Sequence, residues 1–164
     1  MVSVRQLLRF QLDFTTWATE RMLTAAEGLN SEELTHDFKT SDKSILGTLT
    51  HIYRAERLWL KRMLDEKATF KVEGDDTLAA LQTSWPGIRS GWADWARELS
   101  DDAAVADISY SDLKGNPYTQ PMWMIVMHVV NHSTHHRGQA VGFIRSLGRT
   151  PPNVDLITFS RQRI

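Results

Sequence analysis

PMWMIVMHVVNHSTHHRGQAVGFIRSLGRT, residues 121–150, carries the longest helical pattern in the chain. Pro121 suits the first turn of a helix, where its missing N–H is not needed. Gly148 reads as a stop, and Pro151-Pro152 forbids continuation. Every position from Met122 to Val130 except His128 is apolar. A stretch this apolar all round is buried between other elements rather than laid on a surface, so the helix must have partners.

Those partners are legible upstream. Leu7, Leu8, Phe10, Leu12, Phe14, Trp17, Ala18 and Met22 recur at helical spacing and predict a helix over about 3–28, ended by Gly28. Ser31–Leu34 reads as one capped turn, and Ser41–Ser44 as the cap region of a second long helix over about 44–64. Ile45, Leu49, Ile52, Trp59 and Met63 form the stripe of that helix. A polar stretch, 65–76, leads to a third helix from Thr77, striped by Leu81, Trp85, Ile88, Trp92, Trp95 and Leu99. Pro86 inside it predicts a kink or a break. Residues 107–119 alternate loosely around Lys114-Gly115-Asn116-Pro117 and predict a short β-hairpin. The partly apolar tail, Val154–Phe159, is expected to dock on the helices. Long alternating strands and glycine-rich strand-to-helix turns are missing. The expected fold is therefore all-α, a four-helix bundle in one domain over 1–164, with the hairpin between the third and fourth helices.

Composition narrows the function. A net charge of −1 offers no excess of Lys and Arg for a nucleic-acid partner. There is no cysteine, which excludes disulfides, thiolate metal sites and a cysteine nucleophile, so any metal must use nitrogen and oxygen ligands. No apolar run approaches the roughly 20 residues of a membrane span. Arg5, Arg9 and Asp13 interrupt the N-terminal apolar runs, so no leader peptide is expected and the cytoplasm is the default compartment.

Bundles place ligand and metal sites between facing helices, and this chain has six histidines to place: His36, His51, His128, His132, His135 and His136. Residues four apart lie about 40° from each other around a helix, so His132 and His136 share a face and can converge on one ion. His128 continues that row, whereas His135 is rotated by about 60° from His132 toward the rim or solvent. A two-histidine site needs a third ligand from a facing helix. His51 is the best candidate, because Gly47, Thr48, Ala55 and Leu58 surround it at helical spacing and point it inward. Three imidazoles leave coordination positions open, which is the arrangement of a catalytic site. Plainer explanations stand beside this one. An inward His51 can be a hydrogen-bonded core residue, His128 can be core, and an i, i+4 pair occurs on many solvated helices. Burial of the fourth helix favours a site, since buried imidazoles need partners.

Several other chemistries lack their residues. Ser133 follows His132 where a metalloprotease HExxH motif needs Glu. A di-iron bundle needs two Glu-x-x-His motifs, and only Glu33–His36 occurs, in an expected loop. There is no GxSxG elbow and no phosphate-binding GxxxxGK[ST] loop. Some residues stay open. Arg137 could bind an anionic substrate or make a surface or interface ion pair. Asp155 could accept the free ring N–H of a ligand histidine or cap the turn of the tail. Asn131 is rotated away from His132 and could cap or bridge. Gly138 costs about 1 kcal/mol relative to Ala in a helix interior, a cost that close helix packing would justify. Trp123 could line a pocket mouth or a dimer surface.

FTTWATERML (14–23), SILGTLTHIYRAERLWL (44–60) and HVVNHSTHHRGQAVGFIRSLGRTPPNVDLITF (128–159) together give the chain a familiar look. The chain resembles the DinB family of metal-binding four-helix bundles over nearly its whole length. The most specific part is His-x-x-x-His followed by Arg-Gly-Gln, Gly-x-x-Pro-Pro and a late Asp. The resemblance implies a metal held by one histidine of the second helix and two of the fourth, here His51, His132 and His136, the same three that the helical faces select. It departs at Thr19, where such proteins often carry Asn two residues after a Trp. It further implies a homodimer, a divalent ion such as zinc or nickel, and metal-dependent transfer of a low-molecular-weight thiol to a small-molecule substrate; a thiol-dependent maleylpyruvate isomerase is among the characterised relatives. A metal-dependent hydrolase is the alternative enzyme. A non-catalytic metal-binding stress-response protein is the alternative of another class, since the sequence places no general base.

Overall fold

Side-chain caps set the starts of the helices. Ser3 opens α1 (Val4–Glu27) with a reciprocal pair of bonds: its hydroxyl accepts from the Gln6 N–H and the Gln6 side chain accepts from the Ser3 N–H. Asn30 and Glu33 do the same for the short α2 (Ser31–Thr35). The Ser44 hydroxyl caps α3 (Ile45–Met63), Thr77 caps α4 (Leu78–Glu98) and Ser100 caps α5 (Asp101–Val105). Strands β1 (Asp107–Ser111) and β2 (Pro117–Pro121), then α6 (Met122–Ser146) and α7 (Leu156–Arg161), complete the chain. The structure, a computed structural model, describes residues 2–67 and 69–163.

The chain is an all-α four-helix bundle with the expected hairpin. The long helices form a ring in which α1 packs on α4, α4 on α3, α3 on α6 and α6 on α1. The two histidine-bearing helices, α3 and α6, are therefore neighbours. β1 and β2 pair antiparallel with Tyr110 opposite Tyr118. The hairpin turn is organised by Asp112, which accepts the N–H groups of Lys114 and Asn116, and by Gly115, whose φ of 88° suits glycine. The tail docks as expected, with the Phe159 ring 5.4 to 5.8 Å from those of Phe10, Phe14 and Trp17. Among the described residues, no helix is long and apolar enough to cross a membrane.

The core has two apolar halves. Leu8, Leu12, Phe14, Trp92, Val126, Val129 and Phe159 belong to one, and Met22, Ile45, Leu49, Ile52, Leu81, Trp85 and Ile144 to the other. On every long helix the switch between halves falls at a polar residue: Thr15 and Thr19 on α1, Glu56 on α3, Arg89 on α4, Ser133 and Arg137 on α6. All of these except Arg89 are buried. The metal-site candidates of α3 and α6 lie at the level of this belt.

Three expectations change. Pro86 does not break α4, which runs on to Glu98; its ring is exposed, so the Gln82 carbonyl that loses its amide partner lies on the solvated side. Gly138 is not there for close packing, because a Cβ at this position would meet open space. The short α5, with Asp101 and Asp102 in its first turn, was not expected as a helix.

Candidate metal centre

His51 on α3 faces His132 and His136, one turn apart on α6. Nε2 of His51 and Nε2 of His132 are 2.9 Å apart. One ring nitrogen from each of the three lies within 4.8 Å of the others, and the ring centroids are 4.4 to 4.9 Å apart. An ion held tetrahedrally by bonds of about 2.1 Å spaces its ligand nitrogens about 3.4 Å apart, so these donors fit a divalent ion. His128 extends the row but stays exposed against Trp59, and its ring lies 5.8 Å from that of His132. His135 is exposed, as its rotation predicts, and His36 lies far along the chain, on Phe38.

The outer nitrogens of the triad have partners that the sequence did not reveal. Asp42 reaches two of the rings, at 3.6 Å from His51 Nδ1 and 3.4 Å from His136 Nδ1. Gln139 Oε1 is 2.8 Å from His136 Nδ1. Acceptors there fix the ring proton on Nδ1 and leave Nε2 for an ion. His132 has no such support, since its Nδ1 is buried without a hydrogen-bond partner. In the sequence Asp42 stands only within a cap region, Ser41–Ser44. Gln139 carried a usable signal, because i, i+3 neighbours touch on a helix. Asp155, the residue weighed for this role, is exposed at the start of α7 and makes no capping bond with its side chain.

Gly47 brings Asp42 into place. A Cβ on Gly47 would lie 2.0 Å from the Asp42 carbonyl oxygen, so only glycine lets the loop before α3 fold this closely against its first turn. Gly47→Ala should destabilise the protein by about 1–3 kcal/mol and weaken metal binding. Asp42→Ala, which leaves the loop backbone free to fold, should weaken metal binding by about 10–100-fold. Titration with zinc and chemical denaturation of both variants check the pair.

Burial, with further contributions from the other histidines, pushes the His132 pKa down to about 3. Burial also lowers that of His51, opposed by Asp42 and aided by His136 and Arg54. As pH falls below about 6.5 the unfolded chain takes up a proton at residue 132 that the folded chain refuses until about pH 3. This contribution to stability is complete above the unfolded value and drains away between the two. Melting temperatures of metal-free protein should therefore drop across that window. His132→Gln should drop less, in melting curves recorded from about pH 8 to about pH 4.

Two cavities meet at His51. One, of about 350 Å³, is lined by His51, His132, Trp59, Arg62, Phe70 and the hairpin tyrosines, among others. The other, of about 400 Å³, is more polar in its residues and includes Asp42, Thr50 and Arg54. Arg54 grips the buried Asp75, holding that carboxyl below its ordinary pKa and drawing the loop with Phe70 onto α3. Clefts of about 430 and 460 Å³ against α1 are lined by no histidine and lie away from the triad.

Arg137 is no surface ion pair. It is 1% exposed and donates to Thr15 at 2.8 Å, Thr19 at 3.3 Å and Thr134 at 2.9 Å. Its negative counterpart in the belt, Glu56, was not singled out from the sequence. Glu56 is 1% exposed and accepts from Trp85 Nε1 at 2.7 Å and Ser133 Oγ at 2.8 Å.

The sequence profile of the DinB family matches residues 10–163. The chain belongs to the DinB family. A DinB-like protein from Bacillus cereus, known from its crystal structure, shares the fold with a TM-score of 0.67 and 21% identity over 88% of this chain and 95% of that one. No curated protein matches the chain. Thr19 lies in the buried belt as an acceptor for Arg137.

Proposed function

We propose that His51, His132 and His136 hold one divalent ion, zinc or nickel, and that the protein transfers a low-molecular-weight thiol to a small electrophile. The convergence of three imidazoles at the meeting point of two cavities carries this reading. An ion held there supplies a Lewis acid that keeps a thiol in its nucleophilic form near neutral pH. A reaction between two molecules needs room for both, and the two cavities offer it. Asp42 faces the outer nitrogens of two rings and so orients them rather than accepting a proton from a substrate. Asp112, in the aromatic cavity, is committed to its own turn. A thiol with a pKa of about 8.5 gives up its proton far more readily than water, so thiol transfer asks less of a base than hydrolysis does, and this favours it. A second copy of the chain as partner belongs to the same reading, and light scattering at micromolar concentration measures it.

The test is metal analysis of the purified protein, followed by thiol-consumption assays with a panel of small thiols and a chromogenic electrophile. Thiol transfer that requires the ion and is lost in His132→Ala supports the proposal. A filled site with no thiol transfer to any electrophile would count against it.

A further inference from the structure

The cavity beside His132 is lined by aromatic rings from three parts of the chain: Trp59 on α3, Phe70 on the loop after it, and Tyr110 and Tyr118 on the hairpin. Trp59 and Tyr110 meet edge to face at 4.9 Å, and Tyr110 and Tyr118 stack at 5.8 Å with 24° between their planes. The Phe70 ring lies edge-on to His51 at 5.6 Å. A slot walled by aromatic rings receives a flat apolar body better than a bulky one.

Arg62 supplies the positive charge in this cavity, which Asp112 also lines. Its guanidinium carbon lies 4.5 Å from the Trp59 ring centroid and 5.3 Å from that of Tyr110. Nη2 donates to the Ser111 carbonyl at 2.5 Å. Among the described residues no carboxylate pairs with Arg62 within the 4.0 Å of an ion pair. Asp112, in the same cavity, attracts Arg62 through its charge but spends its oxygens on hydrogen bonds from Lys114 and Asn116. Partial burial makes the cation's solvation poor, and most of its donors remain available for a planar acid group, which a guanidinium grips with two parallel bonds.

On the reading that the triad holds an ion, the geometry points to a small planar organic anion as the occupant of this cavity. Its flat body lies between the aromatic walls, its acid group sits on Arg62, and its reacting end is directed at His51 and His132. The hairpin and Arg62 thus select the substrate, while the triad serves the chemistry.

Calorimetric titration of zinc-loaded protein with trans-cinnamate tests this, with cinnamamide as the uncharged counterpart and 3-cyclohexylpropionate as the bulky one. Cinnamate should bind about tenfold or more tightly than either. Arg62→Gln should abolish the advantage over cinnamamide without changing zinc content. Tyr118→Ala, at a position 46% exposed, should weaken both planar ligands, with its melting curve recorded alongside. Equal binding of cinnamate and cinnamamide, or a preference that survives Arg62→Gln, overturns the assignment. Zinc content is measured on the same samples. A chain that takes up no zinc refutes the metal centre separately, and the difference between cinnamate and cinnamamide on that metal-free chain still decides the role of Arg62.

Discussion

His132→Ala should lose divalent-ion binding, while His135→Ala should keep it. The two residues are three apart on one helix, yet their rings have different neighbours. His132 Nε2 points at His51, whereas His135 is exposed, sits edge to face on the His136 ring at 5.0 Å and reaches Gln139 at 3.4 Å. Residues that merely orient a ligand are worth about 10–100-fold in metal affinity, so loss of the ligand itself should exceed about 100-fold. Metal analysis and zinc titration of the two variants give the answer directly. If His135→Ala were the more damaging change, the assignment of helix faces would be wrong.

The second large effect lies in the core. Glu56→Ala leaves the Trp85 N–H and the Ser133 hydroxyl without their acceptor and the buried Arg137 without the opposing charge. Removing one partner from a buried charged network costs about 3–5 kcal/mol, which for a chain of this length lowers the melting temperature by about 10 °C or more. Glu56→Gln should cost far less, because the amide keeps an acceptor oxygen. The pH dependence has a definite sign. Burial raises the Glu56 pKa, against the pull of Trp85, Ser133 and Arg137. A carboxyl raised in the folded state contributes stability that is present below its unfolded value and lost as pH rises through the folded one. Wild type should therefore lose ground to Glu56→Gln as pH rises above the ordinary carboxylate range, in paired denaturation series. A constant difference across pH would mean that folding leaves the proton affinity of Glu56 unchanged. Glu56 also ties α3 to α6 beside His132, so Glu56→Ala should weaken metal binding along with stability.

The sequence made some of this visible and hid the rest for physical reasons. Helix period, caps and turn residues are local signals, and they mark the long helices, the hairpin at Gly115 and the stop at Gly148. The cluster of three histidines was visible because two of them sit at i, i+4 and the third stands among small and apolar neighbours. Asp42 was hidden because it lies before a helix, where no period assigns a face, and because its approach depends on space that only the fold reveals at Gly47. Arg137 and Glu56 were hidden for another reason. A lone charge on a helix defaults to solvent, and what holds these two inside is a set of hydroxyls and an indole drawn from α1, α4 and α6. Pro86 misled because its cost depends on whether the orphaned carbonyl faces water or core.

His51 and His132 are 81 residues apart in sequence. An ion gripping both sews the chain to itself across that distance, in a protein whose lack of cysteine rules out a disulfide. By chain statistics, a closed ring of that size removes about 4.5 kcal/mol of freedom from the unfolded ensemble, provided the link survives unfolding. Coordination bonds are reversible, so this seam can open and reclose as a covalent one cannot. A chelator would then act as a pair of scissors on the fold as well as on the chemistry, and the protein's lifetime would follow the supply of its metal.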